Sequence, residues 1–140
     1  MGGPAVIDLL LDTHVWIWHL LGSERLPRSF RDAIESDENE CWLSPVSIWE
    51  LSLLNARDRI SLDPGFQEWV RQALQKFPVR DAPLTREVGL ATERLELPHR
   101  DPADHFIAAT AVVYNLTLAT VDRRLVGATG LNTCPTGGGS

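Results

Sequence analysis

Acidic side chains follow two segments of the chain that read as buried β-strands, and this placement points to a reactive crevice. Asp12 comes directly after the apolar run 6–11, and Asp122 comes directly after the β-forming run 116–121. In open α/β sheets, ligands bind beyond the carboxyl ends of the strands, so both carboxylates could point into one crevice. Aspartate is also a favoured helix N-cap, and a capping role for either residue fits the same spacing.

Glu50 is the only charged residue in the apolar segment 46–54, which reads as a helix. Burying an ionised carboxylate without a partner is costly, so such a group pairs, becomes neutral or binds a metal. No base lies three or four positions away, and the nearest is Arg57. A salt bridge to a residue distant in sequence is one interpretation, and a metal-binding or catalytic role is the one we favour.

Two further acids open the apolar segment 101–113. Asp101 stands at the cap position before Pro102, and both Asp101 and Asp104 suit the positive end of a helix dipole. We interpret Asp101 as mainly structural. Asp104 would share a helical face with the small residues Ala108 and Ala111, and a carboxylate on a packed face favours a functional role.

Four carboxylates on separate elements of one crevice would repel one another unless a cation lay between them. A set of oxygen ligands without cysteine selects a hard cation such as Mg²⁺ or Mn²⁺, whose usual work is phosphoryl chemistry. Thr13 and Thr120 flank two of the acids and could orient carboxylates or water by hydrogen bonds, or be ordinary strand-end hydroxyls.

The elements that must position these acids alternate between strand and helix. Strands are expected at 6–11, 40–43 and 116–121, with weaker candidates at 77–82 and 131–134. Helices are expected at 14–21, 27–38, 45–56, from 63, at 85–95, at 101–114 and, briefly, from 122. Such alternation predicts an α/β fold with a parallel sheet covered by helices on both faces.

The 140 residues fit one domain, which we place at 6–136, with glycine-rich and mobile ends at 1–5 and 137–140. The two cysteines, Cys41 and Cys134, have no spacing typical of a zinc site, and the chain shows no secretion signal. The longest apolar run, 106–113, in which Thr110 is the single polar residue, is far shorter than the ~20 residues that cross a bilayer. These features predict a reduced, cytoplasmic protein that does not bind membranes.

The net charge of −6 argues against a general nucleic-acid binder, whose affinity would come from a basic surface. It leaves open an enzyme that holds a phosphate backbone through a bound metal and a few arginines. Twelve of the thirteen basic residues are arginine, which suits bidentate phosphate contacts.

Four motifs in chain order resemble those of PIN-domain ribonucleases, and most of all the VapC-type toxins of bacterial toxin–antitoxin pairs. They are LLLDTHVWIW at 9–18, LSPVSIWEL at 43–51, HRDPADHFIAA at 99–109 and LATVD at 118–122. The resemblance implies a three-layer sandwich and an endoribonuclease dependent on Mg²⁺ or Mn²⁺. It also implies an RNA substrate, a homodimer and inhibition by a cognate antitoxin. Carried over motif by motif, the metal-binding and catalytic acids would be Asp12, Glu50, Asp104 and Asp122.

Other residues near these motifs carry weaker signals. Arg100, Arg123 and Arg124 flank the expected site and could hold RNA phosphates or be solvated surface charge. His14 and His105 neighbour two of the acids, although a lone histidine is more often structural. Tryptophans fit core or dimer packing better than base stacking at positions Trp16, Trp49 and Trp69.

Two other functions deserve comparison with a ribonuclease. A phosphoacceptor receiver domain also gathers aspartates at strand ends. Its chemistry needs a lysine near the site, whereas the only lysine of this chain is Lys76, in an expected surface helix. A binding protein on the same scaffold, without turnover, is disfavoured because unneeded like charges in a crevice would cost stability.

Overall fold

A parallel sheet of five strands, in the order β3-β2-β1-β4-β5, forms the centre of the molecule. The computed structural model describes residues 7–97, 101–128 and 130–134. The strands are β1 (Asp8–Leu11), β2 (Glu40–Leu43), β3 (Arg80–Asp81), β4 (Thr117–Ala119) and β5 (Thr133–Cys134). Every strand pair is parallel, as the alternation of strands and helices predicts.

Six α-helices connect and cover these strands. They are α1 (Thr13–Leu21), α2 (Arg28–Glu35), α3 (Pro45–Ala56), α4 (Phe66–Lys76), α5 (Arg86–Ala91) and α6 (Pro102–Val113), with a short 3₁₀ turn at Thr92–Arg94. Ser44 caps α3 through its hydroxyl and Pro45 follows at the first helical position, as the sequence predicts. Within the described residues, no helix is long and apolar enough to cross a membrane.

The sheet separates two apolar layers, because successive side chains of a strand point to opposite faces. Leu10 of β1 faces α6, where it packs in one cluster with Ile107 and Ala108. On the other face Leu9 and Leu11 pack in a cluster with residues of α1 to α4, namely Trp16, Phe30, Leu51 and Val70. The three-layer α/β sandwich is therefore confirmed, and β1 is buried on both faces, as expected of its apolar run.

The central position of β1 creates the crevice that the strand-end acids require. The chain runs from β1 to β2 on one side, and later places β4 on the other side of β1. Leu11 of β1 pairs with Ala119 of β4, and the backbone N–H of Asp12 donates to the Ala119 carbonyl at 3.0 Å. This register brings Asp12 beside Thr120, at a switch point of the sheet where ligands typically bind.

Some predicted boundaries were wrong, and the causes are local. The helix expected from Asp122 does not form, because residues 123–127 make turns in which the Asp122 carboxylate accepts from the Arg124 N–H at 2.9 Å. Helix α4 begins at Phe66 rather than at 63, since Gly65 with φ of 150° stands before it. The expected strand at 77–82 has only two paired residues. The proposed domain limits 6 and 136, with the ends 1–5 and 137–140, lie outside the described residues.

Two glycines offer a matched test of backbone conformation. Gly22 ends α1 with φ of 62°, a left-handed conformation that suits glycine, whereas Gly89 lies inside α5, and neither has an atom within 4 Å of an added Cβ. Gly22→Ala is expected to lower the free energy of unfolding by about 1–2 kcal/mol. Gly89→Ala is expected to raise it by about 0.5–1 kcal/mol. Urea unfolding of both variants checks this, and equal effects would contradict it.

Candidate functional site

A cleft of about 330 Å³ opens where β1 and β4 end. All four acids that the motifs single out line it, and they come from four separate parts of the chain. The lining consists of Asp12, His14, Trp18, Glu50, Asp101, Asp104, Val121, Asp122 and Arg124. The structure therefore brings the sequence-predicted acids together, while their metal-binding and catalytic roles remain predictions.

Asp12 is held in a fixed orientation by two hydrogen bonds to its carboxylate. The backbone N–H of Thr13 donates to Oδ1 at 2.9 Å, which makes Asp12 the N-cap of α1. The Thr120 hydroxyl donates to Oδ2 at 2.6 Å, and the same hydroxyl oxygen accepts from the Asp122 N–H at 3.0 Å. Asp12 therefore both caps a helix and lines the cleft, and Thr120 links it to the loop that carries Asp122.

Glu50 has hydroxyl groups as its nearest partners. The Thr13 hydroxyl donates to Glu50 Oε1 in a short hydrogen bond, and Ser47 Oγ lies 2.9 Å from the same Thr13 oxygen. Thr13 has one hydroxyl proton, so with Glu50 ionised the Ser47 hydroxyl must donate to Thr13. Among the described residues no base pairs with Glu50, so the salt-bridge interpretation finds no support there.

Burial and mutual repulsion raise the pKa of both carboxylates. Loss of hydration raises the pKa of Asp12; the Thr120 hydrogen bond opposes this rise, and the charge of Asp104 adds to it. Burial also raises the pKa of Glu50, against the Thr13 hydrogen bond, and Asp12, Asp101 and Asp104 contribute further repulsion. A cation in the cleft would relieve both effects.

Helix α6 begins at the cleft and presents two acids to it. Asp101 caps the helix by accepting from the Ala103 N–H at 3.0 Å, which agrees with its predicted structural role. Asp104 lies one turn further on, is 9% exposed and faces the cleft. The third flanking arginine, Arg100, lies outside the described residues.

Asp122 is bound by its neighbour Arg124. Guanidinium Nε donates to Oδ1 at 3.1 Å and Nη2 donates to Oδ2 at 3.0 Å, a bidentate contact. These bonds raise the pKa of Arg124, which is exposed at the side of the cleft. The cleft therefore contains its own positive charge beside the acids, while Arg123 is exposed next to it.

The donor chemistry of the cleft fits a hard divalent cation. All candidate ligands are carboxylate oxygens, and Asp12 and Glu50 accept only from hydroxyl and N–H groups in the described part of the chain. In that part of the chain no three acidic, histidine or cysteine side chains already form a compact metal site. An ion would therefore have to draw the carboxylates closer together.

Thr120 is expected to act by holding Asp12. Thr120→Val removes the hydroxyl that donates to Asp12 and accepts from the Asp122 N–H, while it keeps a β-branched shape. Loss of such an outer partner typically lowers metal affinity or activity about 10–100-fold. Thr110→Val is the matched control, because Thr110 is equally buried but donates to the Phe106 carbonyl within α6. A Mn²⁺ titration that gives equal affinities for the two variants would contradict this role.

Some residues of the site were missed by sequence reasoning. Ser47 supports Thr13, and its spacing of three from Glu50 on one helix was the available signal. Trp18 lines the cleft together with His14, and their spacing of four on α1 was a similar signal. Lys76 lines a separate cavity with His19 and Phe77, and so does not supply the lysine of a receiver-like site.

Comparisons with known proteins agree with this geometry. A sequence model of the PIN domain matches residues 9–130. The chain is 35% identical over 120 residues to the ribonuclease VapC22 of Mycobacterium tuberculosis, covering 84% of this chain and 88% of that protein.

Solved structures resemble the whole fold. The structure of VapBC2 from Rickettsia felis bound to a promoter DNA fragment matches with a TM-score of 0.68 and 15% identity, over 91% of this chain and 97% of that one. A toxin–antitoxin complex from Klebsiella pneumoniae matches with a TM-score of 0.64 and 21% identity, over 89% and 96%. At these identities the likeness shows the fold alone.

Proposed function

Since the chain belongs to the PIN-domain family, we propose that it is an endoribonuclease dependent on Mg²⁺ or Mn²⁺ and the toxin of a toxin–antitoxin pair. The observation that carries the proposal is the convergence of Asp12, Glu50, Asp104 and Asp122 on one cleft. The 35% identity with a ribonuclease over most of the chain supports RNA as the substrate.

The chain's own residues would hold the ion and orient the reacting phosphate. Asp12, Glu50, Asp104 and Asp122 are the proposed ligands, of which Asp12 and Glu50 are already oriented by Thr120 and Thr13. A bound divalent ion activates water and stabilises charge on the attacking and leaving oxygens. Attack of water on phosphorus with departure of the 3′ oxygen leaves a 5′-phosphate and a 3′-hydroxyl.

Phosphate contacts are proposed for the arginines that follow Asp122. Arg123 and Arg124 are both exposed, and Arg124 lines the cleft. A guanidinium presents donors in a fork that matches phosphate oxygens. An incoming phosphate would compete with Asp122 for Arg124, and this exchange would leave Asp122 available to the metal.

Cleavage of labelled RNA, with Mn²⁺ and with excess EDTA, tests the enzyme. The proposal requires cleavage with Mn²⁺, none with EDTA, and 5′-phosphate ends. Cleavage that persists in EDTA, or that the wild type shares with an identically purified Glu50→Gln variant, would overturn it, because a contaminating host nuclease would then explain the activity. No cleavage of any RNA would favour the catalytically silent binding protein.

An antitoxin with a basic segment is the proposed partner. Five acids line the cleft against one arginine in its described lining, and the net charge of the chain is −6. We propose that an arginine-bearing segment of a protein encoded next to this one enters the cleft near Asp12 and Asp122. Because exposed charges are screened within about 8 Å at physiological salt, binding should weaken as salt rises. A neighbouring protein that neither binds nor inhibits would overturn the toxin assignment and leave the nuclease standing.

A homodimer is the proposed assembly. Large apolar side chains are exposed on α3 and α6, with Trp49 53% and Phe106 38% exposed. Sedimentation of the purified chain tests this proposal, and a monomer at all concentrations would contradict it.

A further inference from the structure

Two aromatic side chains share the cleft with the acids. His14 and Trp18 are the only residues among 13–18 of α1 that are not buried, and both line the cleft. They stand four positions apart, so they project from the same face of the helix. Their ring centroids are 5.8 Å apart, with an angle of 53° between the ring planes.

Trp18 is anchored on one side and open on the other. It packs against the core cluster that includes Leu11 and Val15, yet part of it lines the cleft. On the same helix Trp16 is only 1% exposed, so α1 can bury an indole completely where it faces the core. A ring fixed by packing loses little conformational freedom when a ligand stacks on it.

The other residues that line the cleft indicate which kind of ligand an aromatic surface there would bind. Apart from Val121, its other lining groups are five carboxylates and one arginine, which serve ions and phosphate rather than a flat apolar ligand. In a nucleotide the flat apolar group is the base, and it lies within a few ångströms of its own phosphate. Aromatic rings beside a phosphate-processing centre are therefore placed for base stacking.

We propose that His14 and Trp18 form a platform on which an unpaired RNA base stacks beside the scissile phosphate. This inference rests on the proposed ribonuclease function and assigns to it two residues that would position the substrate beside the acids. Bases in an A-form duplex are stacked on each other and cannot reach such a platform. Every base has a π face, so the platform selects for an unpaired base and not for its identity.

A purely structural role for the pair makes a different prediction. An i,i+4 ring contact stabilises a helix slightly, and its loss would lower the melting temperature without regard to the RNA. If the pair is a stacking platform, the effect of replacing Trp18 on kcat/KM instead depends on whether one particular base of the substrate is present. A double-mutant cycle between protein and RNA separates the two roles.

The experiment uses a short single-stranded RNA with a mapped cleavage site, and versions in which each flanking nucleotide carries a stable abasic analogue. We measure kcat/KM with Mn²⁺ for wild type, Trp18→Leu, Trp18→Phe and His14→Ala, with Trp69→Leu as the matched control, because Trp69 is a half-buried tryptophan on the same core cluster but lies outside the cleft lining. At one of the flanking nucleotides, the abasic analogue should lower kcat/KM of the wild type by a factor between about 5 and about 150. Trp18→Leu should lose a similar factor on intact RNA and nothing further on that abasic RNA.

The other variants complete the test. Trp18→Phe should recover part of the loss because it restores a ring, and Trp69→Leu should match wild type. His14→Ala, at an exposed position, provides the same cycle if Trp18→Leu fails to fold. Annealing the RNA to its complement should suppress cleavage by wild type.

Several outcomes would overturn the inference. These are equal losses for Trp18→Leu on intact and abasic RNA, no position at which the abasic analogue slows wild type, or undiminished cleavage of the duplex. Absence of any Mn²⁺-dependent cleavage by wild type is a distinct result, which overturns the proposed function and this inference with it.

Discussion

Asp12→Asn is expected to lower the rate of RNA cleavage by about 1,000-fold, the largest effect we expect from a single substitution. Asparagine keeps the size of the side chain but removes the charge that would hold the ion and stabilise developing charge at phosphorus; removing even one such electrostatic contact typically costs about 10²–10³ in rate. Single-turnover cleavage of labelled RNA at saturating Mn²⁺ measures the effect.

The same substitution should leave the metal-free protein at least as stable as wild type. The folded-state pKa of Asp12 is raised above 3.8, chiefly by burial, so folding favours its protonated form. The resulting cost to stability is fully present at neutral pH and disappears as the pH falls through the raised folded pKa towards 3.8. In EDTA, the advantage of Asp12→Asn over wild type should therefore shrink on acidification.

Asp8→Asn is the matched control for both measurements. Asp8 lies at the other end of β1, where it accepts from the Trp42 indole N–H at 3.3 Å, an interaction that an asparagine oxygen can retain. It should cleave RNA like wild type. If Asp12→Asn instead unfolded far more easily than wild type while retaining activity, Asp12 would be a structural cap and the site assignment would fall.

Mn²⁺ is expected to stabilise the wild-type protein by about 2.7 kcal/mol at a free concentration one hundred times its dissociation constant. A ligand that binds only the folded state shifts unfolding in this way, and it also relieves the repulsion among the carboxylates. For Asp12→Asn, a hundredfold loss of affinity would reduce the gain to about 0.4 kcal/mol at the same Mn²⁺ concentration. Thermal or urea unfolding with and without Mn²⁺ measures both gains.

Asp8→Asn should gain as much from Mn²⁺ as wild type does. An equal gain for Asp12→Asn would show that the ion binds elsewhere on the chain, and an absence of any gain for wild type would remove the support for a metal centre. Either result can be read without an RNA substrate, so it tests the site separately from the cleavage reaction.

The elements nearest the site were the most predictable from sequence. The strand at 40–43 and the helix at 45–56 were predicted with the bounds that the structure shows, because Ser44 and Pro45 mark the boundary between them. The burial of Leu9, Leu10 and Leu11 in β1 followed from an apolar run that only Asp8 interrupts. These signals are strong because the residues that mark the start of the helix and the apolar pattern of the buried elements predict the same structure.

Contacts between distant segments were less predictable. The bond from Thr13 to Glu50 depends on how α1 packs beside α3, and helical periodicity does not specify which hydroxyl meets which carboxylate. The turn at 123–127 was missed because Asp122 reads equally well as a helix cap, and only the structure shows its carboxylate bound to Arg124. The side chain of Asp122 thus closes a turn where a helix was expected.

The long sequence separation between the hydrogen-bonded residues of the site has a consequence for the synthesis of the protein. The hydrogen bond from Thr120 to Asp12 joins residues 108 positions apart, and β4 pairs with β1 although helices α1 to α6 lie between them in the sequence. Closing so long a loop costs conformational entropy, so contacts of such high sequence separation slow folding. A nascent chain that already carries Asp12 and Glu50 still lacks Asp104 and Asp122, so a partly synthesised copy would be inert. Activity would therefore require that synthesis has passed Asp122 and that β4 has paired with β1.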